Sequence, residues 1–237
     1  MLTQGCPYSC NFCASQQKRI LYRSPWHIQQ ELVYLIKTYS IEVFAVVGDN
    51  FLVNKEKTRN ICDAISGFGL KWSTLSRVDT VDYGILELMQ EAGCIEIKFG
   101  IESGSERMLN AMGKNISVNQ ICNAIKMTYS TGIKVKIFLI HGYPGENMET
   151  TNETIKLLKR MSPMIERISL FRFAPLPGSY VYENYKETGL LIFGTEADWD
   201  KSHIHHNHYH WWGTKKNFAE LSKSFKILDK FVSDRWG

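Results

Sequence analysis

The chain has 237 residues, 44% of them hydrophobic and 12% aromatic, enough for one large domain or two small ones with a substantial core. Its 28 basic and 24 acidic residues leave a formal charge of +4, too small and too dispersed to point to nucleic acid or a membrane surface. No apolar run approaches the roughly 18 residues needed to cross a bilayer, and MLTQGC lacks the start of a secretory signal, so a cytoplasmic protein is expected.

Residues 1–4 read as a strand stub, followed at once by GCPYSCNFCA, in which three cysteines fall close together. Ser24 is a natural N-cap with Pro25 at the first helical position, and Ile28, Leu32, Leu35 and Ile36 mark one helical face. VFAVV is a short β-branched strand, and a helix starts near Asn54 with Ile61 and Ile65 inward. KWSTL precedes a helix from about Val81 to Ala92 that ends at Gly93. IEIKFGI precedes one from Ser117, with Val118, Ile121, Ile125 and Tyr129 on one side and Gly132 just past its end. KVKIFLI precedes a helix near Glu149 to Met161, and RISLFRF closes the series. With the stub counted, six strands alternate with five helices, which predicts an α/β fold of parallel strands with right-handed crossovers. Six such units suit a partial (β/α)6 TIM-like barrel over residues 1–192. In barrels of this kind functional groups gather where the strands end. Polar or glycine residues stand there: Gly48-Asp49-Asn50, Ser76-Arg77, Glu102-Ser103-Gly104, His141-Gly142-Tyr143 and Arg172.

Six cysteines are too few for a disulfide scaffold, and Cys62, Cys94 and Cys122 stand singly in apolar contexts as core thiols. Cys6, Cys10 and Cys13 form an incomplete coordination shell. A structural zinc site wants four ligands and a [4Fe-4S] cube normally takes four thiolates, so three leave one iron open. A zinc-bound or metal-free loop is the competing reading. The spacing Cys6-x3-Cys10-x2-Cys13, with Phe12 before the last cysteine, resembles the signature of the radical S-adenosylmethionine (SAM) enzymes.

That resemblance covers approximately residues 2–192. It implies a [4Fe-4S] cluster on the three cysteines, whose free iron chelates S-adenosylmethionine, and reductive cleavage to a 5'-deoxyadenosyl radical that abstracts hydrogen from a small-molecule substrate. By the same resemblance Phe12 packs beside the adenosyl group. VGDNF places Asp49 where the family binds the methionine amino group, although close relatives carry two acidic residues at Gly48-Asp49. GIESGS makes Glu102 and Ser103 cofactor contacts, and HGYPGE lays Tyr143 along the adenine. Arg77 and Arg172 are candidates for the cofactor carboxylate or an acidic substrate. FAPLPGSYVYE is similar to the segment after the sixth strand in cobalamin-dependent members, with prolines that shape the loop.

The flavour is that of radical methyltransferases and anaerobic cyclases that carry an amino-terminal cobalamin-binding domain. No such domain precedes Cys6, so a truncated product, a late start or a separate cobalamin-binding partner is expected. The net reaction implied is cobalamin-assisted methyl transfer to carbon, with flavodoxin or ferredoxin as electron donor. The alternative is a non-catalytic iron-sulfur or zinc module, or a truncated inactive relative.

Residues 193–237 depart from the barrel pattern. His203, His205, His206, His208 and His210 lie among tryptophans and read either as a second metal site or as a lid or surface loop. From Asn217, Phe218, Leu221, Phe225, Leu228 and Val232 mark an amphipathic helix whose stripe is expected to dock on the barrel.

Overall fold

The computed structural model describes residues 1–15, 18–184, 187 and 218–237. The expected histidine cluster and the boundary at residue 192 lie outside them. Strands β3 (Val43–Ala45), β4 (Lys71–Ser76), β5 (Cys94–Glu102), β6 (Lys134–His141) and β7 (Arg167–Arg172) form one sheet in chain order, every neighbouring pair parallel. The sheet curls into a half-barrel, and helices fill its crossovers. The partial-barrel fold class therefore holds.

One strand differs from expectation. The stub β1 (Thr3–Gln4) is not a sixth parallel strand but pairs antiparallel with β2 (Leu21–Tyr22). Two residues are too few for a ladder with β3. The stub still sits beside it: a Cβ at Gly48 would stand 2.6 Å from the Thr3 carbonyl oxygen, so only glycine permits this approach.

Helix boundaries follow from capping chemistry. Helix α1 (Pro25–Tyr39) starts at Ser24, whose hydroxyl accepts from the His27 N–H, and α2 (Lys55–Ser66) at Asn54, which accepts from Lys57 at 3.0 Å. Asp82 caps α3 (Tyr83–Glu91). A short α4 (Glu106–Ala111) follows β5, and α5 (Val118–Ser130) opens with a capping box of Ser117 and Gln120. Asn147 caps α6 (Met148–Met161), α7 (Tyr180–Glu183) is a single turn, and α8 (Phe218–Trp236) ends the chain.

Strand β6 alternates in burial along its length. In β6, Val135, Ile137 and Leu139 are buried, while Lys136, Phe138 and Ile140 are half-buried. The first set joins Trp72, Ile97, Phe99 and Ile101 under the helices; the second faces the barrel interior. Removing a side chain such as Ile125 from this core would cost about 2–5 kcal/mol. Helix α8 packs on the core: Leu221, Leu228 and Val232 are buried, and Trp236 Nε1 donates to the Ile165 carbonyl at 2.8 Å.

Candidate active site

A cavity of about 380 Å³ opens at the carboxyl ends of the strands. Cys6, Cys10, Phe12, Cys13, Asp49, Arg77, Glu102 and Arg172 all line it, together with Lys114. Residues far apart in sequence thus converge because each follows, or docks beside, a strand end.

The cysteine loop is held from several sides. The Asn11 backbone N–H donates to the Met112 carbonyl at 2.8 Å and its side-chain amide to the Ala111 carbonyl at 3.0 Å. These carbonyls end α4 and have no helical partner, so the loop docks on a helix end that needs donors. Asp49 anchors the other flank, accepting from the Gly5 N–H at 2.7 Å. Phe12 packs against a buried cluster of Met108, Met112, Tyr143 and Phe173.

The thiols are half-buried. Burial pushes the Cys6 thiol up, countered in part by a backbone hydrogen bond at Tyr8, with neighbouring Cys10 adding to the rise. Burial likewise raises Cys13, whose sulfur accepts from the Ser15 N–H at 3.4 Å. Arg77 Nη1 donates to Cys10 Sγ at 3.3 Å. The three cysteines all wall the same cavity. Three soft thiolate donors with N–H groups aimed at sulfur fit the donor set of an iron-sulfur cluster, whose potential such hydrogen bonds tune.

Arg77 is heavily engaged. Besides Cys10 it binds Asp79 in a fork at 2.8 and 3.0 Å and the Lys114 carbonyl at 2.7 Å, and it stacks 3.8 Å from the Tyr8 ring centroid. This arginine ties the cysteine loop to the residues after β4 and α4. Arg172 lines the cavity opposite, its guanidinium 4.4 Å from the Phe225 ring centroid. Burial lowers its pKa, with Asp229 acting the other way.

Glu102 holds an unusual backbone, φ +64°, at a register shift in β5. A side chain with a Cβ in the left-handed region marks strain that surrounding structure must impose. The carboxylate folds back so closely that a Cβ at Gly100 would lie 2.5 Å from Oε1. Lys114 Nζ meets Oε1 at 2.7 Å, with both side chains buried.

Ser103 and Tyr143 are not among the residues lining the cavity. Ser103 turns toward α6, 3.3 Å from the Thr154 hydroxyl, because the bulge at Glu102 reverses the alternation. Tyr143 donates to the Ala111 carbonyl at 3.1 Å and packs edge-on to Phe173. Both brace the site from behind. His141 is buried between α6 and α8, with Nε2 3.0 Å from the Ser224 hydroxyl, and desolvation holds its pKa down to about 3.

Sequence reasoning missed Lys114 and Asn11. Lys114 follows Gly113 in what reads as an ordinary helix-ending turn, and only the fold sets it against Glu102. The Asn11 signal was within reach, since an asparagine between two candidate ligands is well suited to fixing a loop.

The profile of the Radical SAM superfamily matches residues 1–158. The chain belongs to the radical SAM superfamily. Radical SAM chains work with a [4Fe-4S] cluster and S-adenosylmethionine. An uncharacterized methyltransferase of Pyrococcus horikoshii is 32% identical over 197 residues, covering 81% of this chain and 42% of the relative. The anaerobic magnesium-protoporphyrin IX monomethyl ester cyclase of Rubrivivax gelatinosus is 24% identical over 186 residues, 76% of this chain and 33% of that one. The chain thus spans less than half the length of these curated relatives. In fold it is similar to the radical S-adenosylmethionine methyltransferase TsrM of Kitasatospora setae, solved with cobalamin and a [4Fe-4S] cluster bound. The TM-score is 0.74 at 14% identity, over 98% of this chain and 52% of that one. Among the described residues no helix is long and apolar enough to cross a membrane.

Proposed function

We propose that this chain is the catalytic core of a radical SAM methyltransferase acting on a small-molecule substrate. The observation that carries the reading is the convergence of Cys6, Cys10 and Cys13 with Asp49 and Glu102 on one cavity. When bound, the cluster supplies an electron and S-adenosylmethionine the 5'-deoxyadenosyl group that takes a hydrogen atom from substrate.

The chain's own residues bind and orient. Cys6, Cys10 and Cys13 would hold the cluster, and Arg77 would place positive charge beside the Cys10 sulfur. Asp49 and the Glu102–Lys114 pair would meet the polar end of S-adenosylmethionine, and Arg172 its carboxylate or an acidic group of substrate. Phe12 would cover the adenosyl group, braced by Tyr143. Phe138, Ile140 and Phe171 give the cavity an apolar floor that keeps water from a reactive intermediate. The name of the Pyrococcus horikoshii relative supports methyl transfer, and cobalamin, bound in the TsrM structure, would be the methyl carrier. A one-electron donor of the flavodoxin or ferredoxin class completes the system, in the cytoplasm.

The test is anaerobic reconstitution with iron and sulfide, then dithionite and S-adenosylmethionine, with 5'-deoxyadenosine measured by mass spectrometry. Product from the native chain and its loss in Cys10→Ala is the expected result. A fully loaded cluster that yields no 5'-deoxyadenosine in repeated preparations would sink the reading in favour of a binding module.

A further inference from the structure

Each cysteine sulfur on the cavity wall accepts an N–H, but the donors are of two kinds. Cys6 is served by the Tyr8 backbone and Cys13 by the Ser15 backbone at 3.4 Å, so both draw on their own loop. Cys10 is served at 3.3 Å by Arg77 Nη1, from a side chain 67 residues away just past the end of β4. The rest of that guanidinium is held in place. Nε and Nη2 grip the two Asp79 carboxylate oxygens at 2.8 and 3.0 Å, and Nη2 also donates to the Lys114 carbonyl at 2.7 Å. The fork sets the guanidinium plane, and one face lies 3.8 Å from the Tyr8 ring centroid. Nη1 is left directed at the sulfur.

Fastening the loop does not call for a charge here. Asn11 already ties it to the carbonyls of Met112 and Ala111, and Asp49 holds the Gly5 N–H. Arg77 is only 6% exposed, and a guanidinium taken that far from water needs a partner, which Asp79 provides with its own side chain 17% exposed. A buried ion pair is a poor fastening, since its desolvation offsets much of its attraction. It is an effective source of electric field, because little water stands by to screen it. Hydrogen bonds to the sulfurs and nearby net charge are what set the potential of an iron-sulfur cluster. The backbone donors come with the loop whatever its side chains; Arg77 is a donor that carries charge.

Resting on the radical SAM reading, we propose that Arg77 and Asp79 are a pair of opposite sign that sets the reduction potential of the cluster held by Cys6, Cys10 and Cys13. Both are positioning residues in this role, acting through the Cys10 sulfur rather than on S-adenosylmethionine or substrate. Reduction adds one electron, taken from the one-electron donor, and with it one negative charge. Arg77 favours that charge and Asp79 opposes it. Arg77 prevails because its Nη1 bonds the sulfur itself, whereas the carboxylate bonds the nitrogens Nε and Nη2. The pair therefore makes the cluster easier to reduce than the backbone donors alone would.

The test is an anaerobic potentiometric titration of the fully loaded chain, without S-adenosylmethionine, followed by the electron paramagnetic resonance of the reduced cluster. Arg77→Gln should shift the one-electron equilibrium toward the oxidised form by about tenfold or more, and Asp79→Asn toward the reduced form by about threefold or more; tenfold is about 59 mV for one electron. Opposite signs are the signature of charge, whereas a loosened loop would move both variants the same way. Shifts smaller than these, or of one sign, would overturn the proposal. Asp79→Asn keeps the side chain's shape, so it decides alone if Arg77→Gln takes up no cluster: a rise of the stated size supports the pair, and anything less overturns it. The two readings fail separately: 5'-deoxyadenosine formed with unmoved potentials removes only the tuning pair, and opposite shifts without 5'-deoxyadenosine remove only the radical chemistry.

Discussion

The six cysteines divide between the wall of the cavity and the core beneath the helices, and their surroundings differ in kind. Cys62, Cys94 and Cys122 are buried among apolar side chains. Burial pushes Cys62 up to about 12 and raises Cys94 further. Cys6, Cys10 and Cys13 are half-buried on an open cavity, with N–H donors aimed at the sulfurs of Cys10 and Cys13. Cys122 also accepts from a guanidinium, that of Arg160 on α6, so what sets Cys6, Cys10 and Cys13 apart is their position on an open cavity and not the donors alone. The wall and the core of one fold therefore hold the same residue type for opposite ends, and perturbing each side shows how far the division goes.

The largest contrast is chemical access. Alkylation of the cluster-free chain with iodoacetamide, without oxygen, should modify Cys6, Cys10 and Cys13 on the order of 100-fold faster than the other three, because attack needs an exposed thiolate. Peptide mass mapping reads the sites, and loading the cluster should protect all three at once. Fast modification of a core cysteine, or protection of fewer than three, would break the division.

The next perturbation asks whether a charged pair on the wall depends on its partner as core groups do. Lys114→Met leaves the Glu102 carboxylate buried and unmatched in a strained backbone, and breaking a buried pair costs about 3–5 kcal/mol. Denaturant unfolding measures the loss. The Glu102→Gln/Lys114→Met double variant should recover most of it, since neither charge then remains. A loss below about 1 kcal/mol, as for an exposed pair, would mean that water reaches the pair and that the wall is softer than its burial suggests.

Much of this architecture was legible because its signals are local. Ser24, Asn54 and Ser117 announce helix starts through side chains that cap their own backbone, and Val135, Ile137 and Leu139 alternate within one strand. The spacing of Cys6, Cys10 and Cys13 was enough to point to the superfamily that the match over residues 1–158 shows. Features set by tertiary register were not legible. Lys114 is twelve residues from Glu102 and meets it only after β5 and α4 are placed. The stub β1 shows the same limit, since a two-residue strand carries no sign of which neighbour it will choose. Helix α4 is less than two turns long, too short for its periodicity to stand out. Arg77 and Asp79 are two residues apart, yet only the structure shows that they pair in a fork.

The smallest effect tests whether a buried acid off the cavity wall governs stability against pH. Glu146 is buried in the turn after β6, where it accepts from the Thr150 hydroxyl at 2.8 Å. Desolvation raises its pKa from 4.5 to about 7, opposed by Thr150, the Gly142 backbone and Arg107. The folded chain therefore keeps a proton that the unfolded chain has already lost between those values. Stability from this group is fully present below pH 4.5 and falls as pH rises through 7, by at most roughly 3 kcal/mol at 1.36 kcal/mol per unit. Glu146→Gln keeps the shape without the ionisation. Its unfolding free energy should match the native chain near pH 5 and exceed it near pH 8. An unchanged pH slope in the variant would shift the source of any pH dependence to the wall, where the thiols are the remaining groups raised by burial.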